Sequence, residues 1–333
     1  MIRNITIQIL LISFCCGTGK YGDSFMNIGI SARNSSLGGA VVADIGNSSS
    51  FNLSPATISG IINKKIYGLF VNQFGLAEFC GLGVFIPIKE NYTFGLSFRG
   101  LLVDDIPERP DLRLLTDLEA RRDSIRALTL QGFDTFQDLE TAYTISMAKM
   151  NQLIINPGWQ FSKFPIKIPI GINIHLLQKK IHEIQAFGTG LDLGTALTFE
   201  LSNILPYKWL GEVSLGSSFN HLFGTRLFWN SEKKEMIPMQ WINGIAIKQP
   251  IPILKSSINS YIQSNNQYPD EIQYGLEWIS SHYFSIRLGY KNKIIQGGLG
   301  MNLDLKNIPL RMDYSFSDHF LGNAHRIGIV FSF

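Results

Sequence analysis

Hydrophobic and polar residues alternate along most of this chain. The stretch 94–99 reads Phe-Gly-Leu-Ser-Phe-Arg, and the stretch 327–333 reads Ile-Gly-Ile-Val-Phe-Ser-Phe. Alternation with a period of two predicts β-strands. About fifteen candidate strands occur, many of them near the ten residues that a tilted strand needs to cross a membrane: 65–74, 79–88, 92–103, 138–149, 152–161, 166–178, 188–201, 211–223, 238–249, 253–263, 271–280, 282–290, 296–304, 310–317 and 325–333.

The links between these strands and the residues at their ends favour a barrel in a membrane. Short turn sequences such as 89–91 and 291–293 alternate with longer links. Hydrocarbon cannot hydrogen-bond a peptide backbone, so a sheet that crosses it must close on itself. Aromatic residues near strand ends are typical of the girdles at the two membrane interfaces: Tyr67, Phe79, Tyr92, Trp159, Tyr207, Trp209, Trp241, Tyr261, Trp278 and Tyr283. A soluble secreted β-sandwich or propeller also alternates and stays open as the rival interpretation.

Composition narrows the class of protein. Only 17% of the 333 residues are charged, against about 25% in an average soluble chain. A mean hydropathy of +0.10 fits a closed sheet with one apolar and one polar face, and no apolar run reaches the length of a membrane helix. The 12% aromatic content excludes a disordered chain. The 29 basic residues nearly cancel the 26 acidic ones, which argues against a nucleic-acid partner.

The two ends of the chain carry export and assembly signals. Arg3 precedes a mostly aliphatic run over 5–14, and Cys15, Cys16 and Gly17 follow. This order predicts a secretory signal peptide over 1–17, with a lipoprotein signal acylated at Cys15 or Cys16, or a short core strand, as alternatives. At the other end, Phe331 and Phe333 close an amphipathic last strand, which predicts an outer-membrane assembly signal.

Two segments depart from the strand pattern. The small and polar residues of 18–60 predict a hatch folded inside the barrel, in which Ser54 and Pro55 could begin a short helix; a disordered arm is the alternative. Residues 104–137 hold the densest charge, and leucines three apart from Leu112 to Leu128 predict a one-sided helix of about three or four turns. Longer loops of such barrels lie outside the cell. This insert either binds a partner or lies solvated over the barrel mouth.

A family resemblance follows from motifs in the first part of the chain. The stretch 24–33, the run Leu37-Gly38-Gly39-Ala40 and the run Asn52-Leu53-Ser54-Pro55-Ala56 resemble the start of the PorV/PorQ family, although Leu53 and Ser54 stand where the family usually has Trp and Asn. Further stretches resemble the family in the same order: 105–107, 136–148, 188–194, 274–277, 287–290, 297–300, 313–316 and 325–326.

The resemblance implies a FadL-like barrel of about fourteen strands, over 61–333, with the hatch in its lumen. Members include outer-membrane components of the type IX secretion system that bind a large translocon barrel and exported proteins, which would make 104–137 an extracellular binding surface. The candidate partner-binding residues are Asp104, Asp105, Arg109, Arg121, Arg122 and Arg126. The candidate hatch residues are Asn27, Arg33, Gly38, Gly39, Asn52 and Pro55.

Motifs for catalysis or metal binding are not found in the sequence. None of the six histidines has zinc-site spacing with a third ligand nearby, and no nucleophile elbow or phosphate-binding loop occurs. The glycines over 188–194 are better explained by bending or close packing within a strand. Glu200, Glu212 and Glu277 lie on candidate strands, where a lumenal position avoids a charge in lipid. We therefore expect no enzyme, no cofactor and no metal.

Three functions remain open at this stage. The first is a component of a type IX secretion or surface-attachment machinery in the outer membrane of a Gram-negative bacterium. The second is a FadL-type transporter of hydrophobic small molecules, with a lipid-like ligand in the lumen and a gap in the wall near 169–171. The third is a soluble secreted β-protein.

Overall fold

The alternating segments form strands because their two side-chain sets face two different environments. The computed structural model describes residues 25–89, 91–108, 111–112, 117–156, 158, 164–205, 207–280, 283–305, 308–319 and 322–333. The predicted signal peptide lies outside these described residues, and so do Arg109 and Trp159.

Sixteen strand segments make up one antiparallel sheet. They are β1 Lys65–Gln73, β2 Ala77–Ile88, β3 Tyr92–Pro107, β4 Thr135–Ile155, β5 Phe164–Ile181, β6 Ile184–Glu200, β7 Glu212–Asn220, β8 Thr225–Trp229, β9 Lys234–Ile237, β10 Gln240–Ile251, β11 Ser256–Asn265, β12 Tyr268–Ser280, β13 Phe284–Lys291, β14 Ile294–Leu305, β15 Ile308–His319 and β16 Gly322–Ser332.

The sheet closes into a ring of fourteen strands. β1 pairs with β16, with Lys65 opposite Ser332, so the first and last strands meet. β7 and β8 both pair with β6, one after the other along its length, and together they count as one interrupted strand. β9 pairs with β8 and leads into β10, so these two segments form a second interrupted strand of the ring. The predicted transmembrane antiparallel barrel of about fourteen strands is therefore confirmed.

The outer face of the ring is apolar and the inner face is polar. Along β13, Ile286 and Leu288 are 41% and 55% exposed, whereas Ser285 and Arg287, which alternate with them, are buried. In a soluble protein the apolar side chains would be the buried ones. Here they are exposed because the outer side chains of such a barrel face lipid. Among the described residues, no helix has the length and apolar character needed to cross a bilayer.

Two details of the strand prediction were wrong. The segments 138–149 and 152–161 were predicted as separate strands, but residues through Ile155 belong to the single strand β4. The polar residues Lys149 and Asn151 interrupt the apolar alternation, whereas their backbone pairs without interruption with β5. The short segments β8 and β9 were not predicted, because an irregular stretch at 221–224 and the charged residues at 231–235 obscure their alternation.

The strands differ in length around the ring. β4 has 21 residues and β5 has 18, about twice what a strand needs to cross a membrane. β13 has only 8 residues. The wall formed by β3 to β6 therefore projects beyond the turns that join β11 to β12 and β13 to β14. These turns lie at the same end of the barrel as the long insert between β3 and β4, and we call this end the insert end. The first and last residues of the ring, Lys65 and Ser332, lie at the other end, which we call the terminus end.

Residues 25–60, which we call the hatch segment, lie inside the ring. They contain helix α1, Ala32–Ser36, and two short 3₁₀ helices, Ser48–Ser50 and Pro55–Ile58. Ser54 precedes the second of these helices, and Pro55 begins it as predicted. The hydroxyl of Ser54 makes no capping hydrogen bond, so the prediction that Ser54 caps this helix is wrong. Phe51 packs its ring 5.1 Å from that of Phe85 on the wall.

Glycines on the inner face allow the hatch backbone to approach the wall. A Cβ atom on Gly289 of β13 would lie 2.1 Å from the backbone nitrogen of Gly38, and one on Gly171 of β5 would lie 2.4 Å from Pro55. Gly194, one of the glycines that the sequence assigned to bending or close packing, likewise faces Ser54 at 2.4 Å. Any larger residue at these positions would displace the hatch, so the wall and the hatch fit each other directly.

The insert between β3 and β4 contains helix α2, Leu118–Gln131. It begins later than the predicted helix, because the carboxylate of Asp117 accepts hydrogen bonds from the backbone of Glu119 and Ala120 and so caps the helix there. No residue of α2 is buried.

Candidate functional site

A cavity opens at the insert end, between the hatch segment and the wall. Its volume is about 580 Å³, within the range of about 300–1,000 Å³ that is common for small-molecule sites. Most of the wall residues that line it lie where strands end at this end of the barrel, as Gln73 does on β1 and Asn265 on β11. The hatch forms the floor, with Asn27, Asn34 and Asn52 among its contributions.

Hydrogen bonds among the amide side chains shape this cavity. Gln263 accepts a hydrogen bond from the backbone nitrogen of Val42 at 2.9 Å and donates to Gln273 at 2.9 Å. Gln240 donates to Asn27 at 3.4 Å. The wall side chains are therefore positioned partly by the hatch, and a movement of the hatch would alter the cavity.

Below the cavity, Arg33 of α1 fastens the hatch to the wall. Its guanidinium donates to both carboxylate oxygens of Glu277 on β12, at 2.9 and 2.6 Å, and to Asp44 at 2.6 Å. Arg287 on β13 donates to the same Glu277 at 2.7 Å. Glu277 is fully buried, so this is an ion-pair network shielded from solvent and it faces the lumen as the sequence suggested.

This network determines the protonation states of the two charged hatch residues, Arg33 and Asp44. Burial alone would raise the pKa of the Asp44 carboxyl, but the charges of Arg33 and Lys248 outweigh it and hold that pKa at about 2. Burial likewise opposes the charge of Arg33, yet Asp44 and Glu277 keep its pKa well above the ordinary value. Both hatch groups are thus ionised at neutral pH while the hatch is seated.

A second polar cluster lies at the break between β7 and β8. Asp192 on β6 accepts hydrogen bonds from the backbone nitrogen of His221 at 2.9 Å and from the amide of Asn173 at 3.2 Å, and its carboxylate contacts the Nε2 atom of His175. Asn173 also donates to the backbone oxygen of Phe51 at 2.9 Å, which ties the hatch to this cluster. His221 has a φ of 53°, so the chain turns sharply where β7 ends.

Sequence reasoning missed this cluster, since 29 residues separate Asp192 from His221 and no short motif joins them. The structure buries His175 and Asp192 at 1% and 2% side-chain exposure. Such burial leaves no access for a substrate and supports a structural role. Among the described residues, no group of three or more His, Cys, Asp or Glu side chains is arranged to hold a metal ion.

The predicted hatch residues all lie at the interface between hatch and wall or at the cavity. Asn27, Gly38, Gly39 and Asn52 line the cavity, and Gly38 and Gly39 have φ values of 66° and 77°, which favour glycine. Pro55 packs against the inner face at Gly171.

The predicted partner-binding residues do not form one site with the cavity. Asp104 and Asp105 are exposed on β3, where the pairing with β4 shifts its register between Val103 and Ile106. Arg121, Arg122 and Arg126 lie on α2. At the other end of the chain, Phe331 lies on β16 and stacks on Phe333, whose backbone nitrogen donates to the backbone oxygen of Lys64 at 2.9 Å.

The fold, with its lipid-facing apolar surface and its lumenal hatch, defines the chain as a transmembrane antiparallel β-barrel of fourteen strands, the architecture of outer-membrane proteins. It is similar to the CymD monoaromatic hydrocarbon channel, with a TM-score of 0.51, 9% identity and coverage of 92% of this chain and 97% of that one. It is also similar to a deletion mutant of the TodX monoaromatic hydrocarbon channel, with a TM-score of 0.49, 11% identity and coverage of 91% and 98%. At these identities the likeness concerns the fold.

Sequence comparisons give no further assignment. No protein-family model matches the chain. No curated protein matches its sequence at a significant level.

Proposed function

We propose that this protein is a channel for small molecules across the outer membrane, closed at rest by the hatch segment, and that it is not an enzyme. The observation that carries the proposal is the cavity at the insert end, which is walled by barrel strands and floored by the hatch. A solute captured there lies in the lumen, on the axis that leads to the terminus end. The similarity of the fold to hydrocarbon channels supports the same class of function.

The hatch is the element that must move for a solute to pass. It is held by the Arg33 network on one side and by packing of Phe51 against Tyr67 and Phe85 on the other. Elsewhere its backbone lies close to inner-face glycines of the wall and accepts hydrogen bonds from wall side chains such as Asn173.

A reversible crosslink tests the role of the hatch. The Cβ atom of Ala32 lies 3.5 Å from the position that a Cβ on Gly328 of β16 would occupy, which is within disulfide geometry. We propose the double variant Ala32→Cys and Gly328→Cys, made with Cys80→Ser and reconstituted in liposomes. Uptake would be measured for a panel of polar disaccharides and apolar monoaromatic compounds.

We expect the reduced protein to take up at least one class of solute. Oxidation should abolish this uptake, and a reductant should restore it. The two single-cysteine variants serve as controls, because neither can form the crosslink. Uptake that persists in fully crosslinked protein would contradict gating by the hatch, and failure of every solute to enter would contradict the channel itself.

A second candidate function rests on α2. Leu118 and Leu130 are 67% and 89% exposed on this helix, beside the arginines that the sequence singled out. A protein partner that docked on this helix would remove these apolar side chains from water, which favours binding. Under this alternative the barrel is a PorV/PorQ-like component of a type IX secretion or attachment machinery, which binds the translocon or exported proteins outside the cell.

Deletion of 108–130 distinguishes the two functions. Loss of a stoichiometric protein partner from a mild-detergent purification, with the folded barrel retained in gels, would support the docking function. Unchanged uptake in liposomes by the same variant is expected if the barrel is a channel.

A further inference from the structure

Amide side chains dominate the cavity at the insert end, and this gives the cavity a chemical preference. Ten of its lining residues are Asn or Gln, and the remaining polar ones include Tyr268 and three charged residues. The amides are Asn27, Asn34, Asn52, Gln73, Gln240, Gln263, Asn265, Gln273, Asn292 and Gln296. An amide carries both donors and acceptors, so such a wall matches a ligand that also carries both.

Three polar atoms around this cavity lack a hydrogen-bond partner within the described part of the chain. They are the side-chain oxygens of Asn52 and Gln73 and the Nε atom of Arg326. Asn52 and Arg326 are only 8% and 9% exposed. Buried polar groups in folded proteins are normally hydrogen-bonded, so these atoms show that the cavity wall holds hydrogen-bonding capacity that the described protein groups leave unused.

The charges on the lining are close to balance. Lys291 and Arg326 are opposed by Glu271, so the cavity offers no strong field for a multiply charged ligand. The apolar lining is confined to a few side chains, among them Ile28 and Ile242. A hydrocarbon bound here would displace water from the amide groups without replacing the hydrogen bonds of that water, which disfavours an apolar ligand.

We propose that this cavity binds an uncharged, hydroxyl-rich small solute of the sugar class, about the size of a disaccharide. A hydroxyl both donates and accepts, so a ring with several hydroxyls can pair with several of the amide side chains that line the cavity. The inference rests on the proposed channel function and names its solute. It departs from the hydrocarbons in the names of the structurally similar channels.

Binding in detergent tests the proposal. The full-length mature protein would be purified in a polyoxyethylene detergent, because alkyl glycosides would occupy the site. Sucrose, maltose, glucuronate and toluene are the probes, and isothermal titration gives the affinity and stoichiometry. We expect one disaccharide bound per barrel, weaker binding of glucuronate, and no competition by toluene.

Matched substitutions locate the site. Gln73→Leu removes one unpartnered acceptor, and we expect it to weaken disaccharide binding at least tenfold. Gln152→Leu is the control, since Gln152 is exposed on β4 near the terminus end. Gln296→Leu is a second cavity variant in case Gln73→Leu does not fold, and heat-modifiability in gels reports folding.

The outcomes separate this inference from the proposed function. The sugar site would be overturned if toluene bound more tightly than any sugar. It would also be overturned if neither cavity variant changed disaccharide binding. Disaccharide binding without uptake into liposomes would support the site and contradict the channel. Uptake of toluene alone would support a channel and contradict the sugar site.

Discussion

Removal of the Arg33 side chain is the most direct perturbation of the closed state. The substitution Arg33→Met keeps much of the side-chain volume but leaves Glu277 without two charge-assisted hydrogen bonds and Asp44 without one. Removing one member of a buried ion pair costs about 3–5 kcal/mol. Arg287 and Lys248 still contact the two carboxylates, so we take the lower end, about 3 kcal/mol.

That cost applies to the seated hatch and not to a displaced one, in which water can solvate the carboxylates. The ratio of open to closed barrels should therefore rise at least about a hundredfold, since about 1.4 kcal/mol corresponds to a factor of ten. Planar-bilayer recordings of single barrels measure this as the fraction of time spent in conducting states. The control is Arg122→Met, the same change at an exposed position of α2. An open fraction equal to that of the control, in barrels shown to be folded, would refute the reasoning.

Three further predictions concern the same interface. Gly289→Ala should displace α1 and speed hydrogen exchange across 25–60, because its Cβ would lie 2.1 Å from the backbone of Gly38; Gly297→Ala, with nothing within 4 Å, should leave exchange unchanged, and equal rates in the two variants would count against the fit. Phe51→Ala should destabilise the seated hatch by about 3–5 kcal/mol, again measured by exchange; an effect spread evenly over the barrel would contradict a hatch-specific role. Asp44 has a pKa of about 2 in place of 3.8, so its stabilisation is present above pH 3.8 and is lost as the pH falls towards 2. The open fraction should rise over that interval in the native protein, and a rise of the same size in Asp44→Asn would disprove this origin.

Much of the barrel could be predicted from the sequence because a lipid-facing strand has a strict period of two. The final hairpins follow this pattern, and the observed strands β12 to β16 lie within a few residues of the predicted ones. The pattern fails where polar residues occur within a strand, as at Lys149 and Asn151 of β4, because only pairing with β5 distinguishes that stretch from a turn.

The candidate site could be predicted only in part. Arg33 and Asn27 were found through the family resemblance, but the partner of Arg33 lies 244 residues away in the chain. Charge on a strand indicates a lumenal position, as for Glu277, without indicating what it contacts. The amide-lined cavity was not predicted at all, since its residues come from the ends of six or more separated segments and share no local motif.

The pairing of β1 with β16 also constrains how the barrel and its hatch are assembled. The hatch segment directly precedes β1, and the ring is completed only when Lys65 lies opposite Ser332. Because the hatch contacts the wall from β5 to β16, the surface on which it is seated is complete only when this pairing has formed. The last eleven residues of the ladder, Gly322–Ser332, therefore complete both the ring and the seat of the hatch. A chain without these residues would leave β1 and β15 with unpaired edges, and an unpaired edge is a template for pairing with another chain.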